Sequence, residues 1–78
     1  MFGRLSATIW QEGDQFVSLC PELGVTSCGA TPIEALEMLK EAVDLYLEKA
    51  REFGMMDELA ETISSPVRFQ TTFDVELA

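Results

Sequence analysis

The side chains able to do chemistry in this sequence are carboxylates and two thiols: 14 of the 78 residues are Asp or Glu, Cys20 and Cys28 are the only cysteines, and there is no histidine. Two-metal phosphoryl chemistry needs several carboxylates converging on divalent ions from neighbouring strands and a facing helix. The strand-like stretches supply only Glu12 and Asp14 at a turn, and Asp74 and Glu76 near the end. Zinc ligand sets of the usual kind cannot be assembled without histidine from two cysteines. Nucleophilic catalysis fares no better, because serines, threonines and both cysteines lack an imidazole base. No glycine-rich phosphate loop precedes a helix, since Gly29 stands alone. The expectation is a chain with no catalytic, metal or cofactor site, whose work is binding.

Charge narrows the partner. Five basic residues against 14 acidic ones leave a formal net charge of −9, and phosphate backbones are held by Lys and Arg. Direct binding to nucleic acid is not expected. Opposite fields speed encounter, so a basic protein is the natural counterpart. The acidic residues concentrate on one side of a helical stretch, where Glu37, Glu41, Asp44 and Glu48 recur at intervals of three and four. These four are candidate partner-binding residues, although a charged helix face is also what ordinary solvation produces.

The elements that must position these residues follow from the pattern. Leu5, Ala7 and Ile9 alternate with polar residues between Arg4 and Gln11, the period of a half-buried strand. After Glu12-Gly13-Asp14, the run Phe16 to Cys20 reads as a second strand folded back on the first. A two-residue turn sets Trp10 opposite Val17; a three-residue loop sets Ile9 opposite Val17 and Trp10 opposite Phe16. The second is preferred because it unites Leu5, Ala7, Ile9, Val17 and Leu19 on one face. Trp10 and Phe16, with Cys20 in line with them, then lie on the other face, as a partner contact or beneath the chain's own C-terminal segment. Cys20 and Cys28 read as buried free thiols, with a bridge between neighbouring strands the alternative that their spacing permits.

Val25 to Cys28 forms a third short strand, and a helix runs from Pro32 to about Phe53. Thr31 is its N-cap, Pro32 its first residue and Glu34 the third, completing a capping box, while Gly54 suits the left-handed position that closes it. Leu36, Leu39, Val43, Tyr46, Leu47, Ala50 and Phe53 make an apolar stripe for the sheet. Met55 to Ile63 reads as a helical turn or second short helix before Ser64-Ser65-Pro66 ends it. From Val67 to Leu77, the odd positions Val67, Phe69, Phe73, Val75 and Leu77 are apolar and the even ones polar, with Thr71 the exception. This is the longest strand pattern in the chain, spanning more than about 30 Å. Its length exceeds what its neighbours cover, so Phe69, Phe73 and Val75 are candidate contacts between subunits.

The whole is one α+β domain over residues 1–78, ordered β-β-β-α, short α, β, with a small sheet covered on one face by the long helix. A chain this short buries only about 60% of its unfolded surface, which favours self-association. No stretch has the apolar length of a signal peptide or membrane span, so a cytoplasmic protein is expected.

The residues around the third strand also carry a resemblance. Pro21, Glu22, Leu23 and Gly24 after a strand, followed by Gly29, Thr31, Glu34 and Ala35, resemble the HicB-like antitoxin domain in order and spacing. The resemblance implies a partial ribonuclease H-like fold and a role in neutralising small basic HicA-type toxins, which cleave messenger RNA, by docking on them. It makes Pro21, Gly24, Gly29, Thr31, Pro32, Glu34 and Gly54 architectural rather than functional. Family members usually add a ribbon-helix-helix or helix-turn-helix segment that binds DNA; these 78 residues hold none, so a stand-alone module is expected. The alternative is a homo-oligomeric structural domain, a dimer or larger, with no toxin.

Overall fold

The computed structural model describes residues 3–65 and 67–77. Three antiparallel strands, β1 (Thr8–Glu12), β2 (Gln15–Cys20) and β3 (Val25–Gly29), form a sheet in the order β1-β2-β3. Two helices follow, α1 (Pro32–Glu52) and α2 (Met56–Ile63). This is an α+β fold.

The hairpin closes through Gly13 and Asp14 between the paired Glu12 and Gln15, with Gly13 at φ 60°. Only Gly13 has a positive φ there, so the turn has glycine at its first central position, which suits the twist of the strands. The two-residue turn corrects the register expected from the sequence. Trp10 pairs with Val17, and Val17 with Cys28. Paired residues share a face, so Trp10, Val17, Leu19 and Cys28 lie together, while Ile9, Phe16, Ser18 and Cys20 lie on the other side. The Trp10/Phe16 surface does not exist. The slip by one residue moves Phe16 and Cys20 under the helix and Val17 and Leu19 away from it. The first strand also begins later than expected, at Thr8, leaving Leu5 and Ala7 outside it.

The local chemistry of α1 matches its boundaries. The Glu34 N–H donates to Thr31 Oγ1 at 3.0 Å, and Pro32 occupies the first helical position. Glu34 Oε1 accepts from the Ala30 N–H at 3.2 Å, one residue before the usual target of a capping box. At the other end, Met55 N–H donates to Ala50 O at 2.8 Å and Gly54 N–H to Arg51 O at 3.3 Å, with Gly54 at φ 71°. This is a Schellman closure. Phe53, expected in the buried stripe, is the C-cap residue and is exposed.

Helix α1 crosses β3 and β2 and only grazes β1. Its approach is close because most of the buried residues are small: Ser18, Cys20, Gly29, Ala35 and Ala50 are buried, with Leu39 the one large side chain among them. A Cβ on Gly29 would stand 2.6 Å from the Ala35 nitrogen and 2.9 Å from the Glu34 carbonyl carbon. Ser18 Oγ donates to Ala35 O at 2.8 Å, joining the central strand to the first turn of the helix. Both cysteines are free; Cys20 is buried but Cys28 is exposed on the open face, correcting the expectation that both thiols are buried.

Residues 67–77 form no strand, which corrects the expectation of a final strand there. The two-residue alternation is present in the sequence, yet a strand exists only where a neighbour takes up its backbone hydrogen bonds. Among the described residues none does so. Val67, Phe69, Phe73, Val75 and Leu77 are all exposed, Phe69 to 90% and Phe73 to 82%. The radius of gyration, 14.3 Å, exceeds the roughly 11.5 Å of a compact chain of this length. Among the described residues no helix is long and apolar enough to cross a membrane.

Candidate functional site

The exposed side of α1 is the first candidate surface. At 100° per residue, Glu37, Glu41, Asp44 and Glu48 fall within about 60° of arc. Buried Ala35, Leu39 and Ala50 lie on the opposite side of the same helix, which turns all four carboxylates to solvent. Glu37 pairs with Lys40 at 3.5 Å, and Lys49 with Glu52 at 3.8 Å. Both pairs are well exposed and contribute little to stability. Glu41, Asp44 and Glu48 make no ion pair with the described residues. Beside this stripe sits Leu45, 57% exposed, and Ile33 is exposed one turn before it begins. The face therefore offers negative charge around apolar anchors, the composition that a protein partner with a basic surface engages.

The second surface is the open side of the sheet. Trp10, 38% exposed, donates from Nε1 to Glu12 Oε1 at 3.0 Å and stands beside half-buried Val17. Phe16, its expected companion, is half-buried beneath α1. The structure thus brings together the four acidic candidates but separates Trp10 from Phe16. Phe69, Phe73 and Val75 are exposed in the C-terminal segment.

Glu22 is the residue whose importance sequence reasoning missed. Its side chain is only 7% exposed. Oε1 accepts from the Ser6 N–H at 3.0 Å and from the Cys20 thiol at 3.5 Å, and Oε2 accepts from Arg68 Nη1 at 2.8 Å. Arg68 Nη2 also donates to Arg4 O at 2.6 Å. Burial alone would raise the Glu22 pKa, but hydrogen bonds from Ser6, from its own N–H and from Cys20 outweigh it and lower it to about 2. The Cys20 thiol moves the other way, raised chiefly by its own burial. The carboxylate ties the segment before β1, the β2–β3 turn and the C-terminal segment to one point. No sequence signal marked this beyond the position of Glu22 in the Pro-Glu-Leu-Gly run.

A shallow groove beside this latch is lined by Pro21, Glu22, Glu61, Arg68 and Phe69. Among the described residues no three His, Cys, Asp or Glu side chains converge as metal ligands would. Pro21 and Gly24 belong to the turn after β2, where Gly24 has φ 70° and its N–H donates to Cys20 O at 2.9 Å. Compared with protein-family models, with curated proteins and with solved structures, the chain finds no match.

Proposed function

We propose that this domain is a non-catalytic, HicB-like binding module that neutralises a small basic messenger-RNA-cleaving protein by docking on it in the cytoplasm. The observation that carries this reading is the acidic face of α1. Glu41, Asp44 and Glu48 are exposed, free of ion pairs with the described residues, and set beside exposed Leu45. The order of three antiparallel strands followed by a long helix supports the partial ribonuclease H-like architecture that the Pro21 to Ala35 resemblance implies. A net charge of −9 supports a protein partner over nucleic acid, since it opposes phosphate and favours a cationic surface.

The test is co-expression with the small basic protein encoded beside this one. The domain should co-purify with it and suppress its cleavage of RNA at equimolar ratio. If no basic neighbour is encoded, or if RNA cleavage continues with the domain in excess, the antitoxin reading is wrong.

A further inference from the structure

The C-terminal segment and the free edge of the sheet each lack what the other supplies. Residues 67–77 have the two-residue period of a strand with one apolar row, yet that row is exposed and pairs with no strand among the described residues. Strand β1 lies at the edge of the sheet, and α1 barely reaches it. Its outer N–H and C=O groups are therefore open to an added strand. The opposite edge, β3, runs under the start of α1, where Gly29 is packed against the helix backbone.

We infer that residues 67–77 of one copy of this chain add as a fourth strand along the β1 edge of a second copy, reciprocally about a two-fold axis. Edge pairing satisfies the segment's backbone, and the two-residue period then sets Phe69, Phe73 and Val75 in one row beside Trp10. Arg68, held by Glu22 and the Arg4 carbonyl, fixes where the segment leaves its own domain, beside the residues that lead into β1.

Two observations select a second copy as the occupant. The first is charge. Within 67–77 the charged residues are Arg68, Asp74 and Glu76, a net −1 out of the chain's −9. Two acidic copies repel at α1 but can meet here at little electrostatic cost. The second is area. A reciprocal pair brings four phenylalanines, each with about 150–250 Å² to bury. Burying them together with Val67, Val75, Leu77 and the two strand backbones against a second copy would bring the contact to the range of about 1,200–2,000 Å² typical of stable interfaces. This contact leaves the acidic face of α1 free, so it is independent of the toxin-binding reading.

The test is the mass of the full chain in solution at micromolar concentration. Light scattering should give two chains for the natural sequence and one for the Phe69→Asp/Phe73→Asp variant, with the helical circular dichroism unchanged because both side chains are exposed. A photo-crosslinking benzoylphenylalanine at position 73 of isotope-labelled chain, mixed with unlabelled chain, should join residues 8–12 of the unlabelled copy. A one-chain mass for the natural sequence, a two-chain mass that survives the double substitution, or crosslinks confined to a single chain would each overturn the proposal.

Discussion

Arg68 donates to Glu22 Oε2 at 2.8 Å across 46 residues of sequence, and this contact holds the start of the C-terminal segment against the turn that follows β2. Glu22 is nearly buried whereas Arg68 keeps 28% of its side-chain surface exposed. The pair therefore lies between a surface bridge, which contributes little, and a buried one, whose disruption costs several kcal/mol. Arg68→Ala should lower stability by about 1–3 kcal/mol. Urea unfolding followed by Trp10 fluorescence measures this, and a loss below about 0.5 kcal/mol would show the latch to be ornamental.

Acid should weaken the same latch. The folded Glu22 pKa is about 2 against an ordinary 4.5, so the folded chain binds that proton less readily than the unfolded chain. The stabilisation is complete above the unfolded value and is lost as pH falls from 4.5 through about 2. Protonating the other carboxylates relieves repulsion in this acidic chain and acts in the opposite sense. The comparison must therefore be with Glu22→Gln. The stability gap between natural protein and variant should narrow steadily from about pH 5 to about pH 2; a constant gap would contradict the depressed pKa.

The close crossing of α1 over β3 predicts that Gly29→Ala is severe. The added Cβ meets backbone atoms at 2.6 and 2.9 Å, which cannot step aside as a side-chain tip would. The helix must lift, at a cost of about 2–3 kcal/mol. Ser18→Ala removes only the hydrogen bond to Ala35 O and should cost about 1 kcal/mol. Thermal unfolding of both variants gives the comparison, and an equal or reversed order would show that the helix does not sit this close.

The two thiols should differ in reactivity. Cys28 is exposed on the open sheet face, whereas Cys20 is buried with its pKa raised chiefly by that burial. A thiol reagent at neutral pH should modify one cysteine per chain rapidly and the second only as fast as the domain opens. Two equally fast thiols would place Cys20 outside the core.

Reversing charge on the exposed helix face separates binding from folding. Glu41→Lys, Asp44→Lys and Glu48→Lys together should weaken binding to a basic partner at least about tenfold, mainly through slower association that is sensitive to salt. Stability should change by less than about 1 kcal/mol because none of the three is buried or forms an ion pair with the described residues. Unaltered affinity would move the docking surface elsewhere.

Much of this fold was legible in local sequence because short-range chemistry decides it. Thr31, Pro32 and Glu34 mark the start of α1, Gly54 closes it, and the three- and four-residue recurrence of Leu36, Leu39, Val43 and Ala50 sets its buried side. The same recurrence gathers Glu37, Glu41, Asp44 and Glu48 on the opposite side, so this candidate surface could be read before any tertiary contact was known. What the sequence could not settle was the partnering of residues distant along the chain. The hairpin register turned on one residue of loop length, and apolar content alone favoured the wrong choice. The decisive fact was that α1 packs closely on the face of Ser18, Cys20 and Gly29, which also carries Phe16, rather than on the face of Val17 and Leu19. Glu22 acquired its role only when Ser6, Cys20 and Arg68 converged on it. The alternation in 67–77 specifies a strand's side-chain pattern, but a strand also needs a neighbour, and only the tertiary structure shows that the described residues of its own chain supply none.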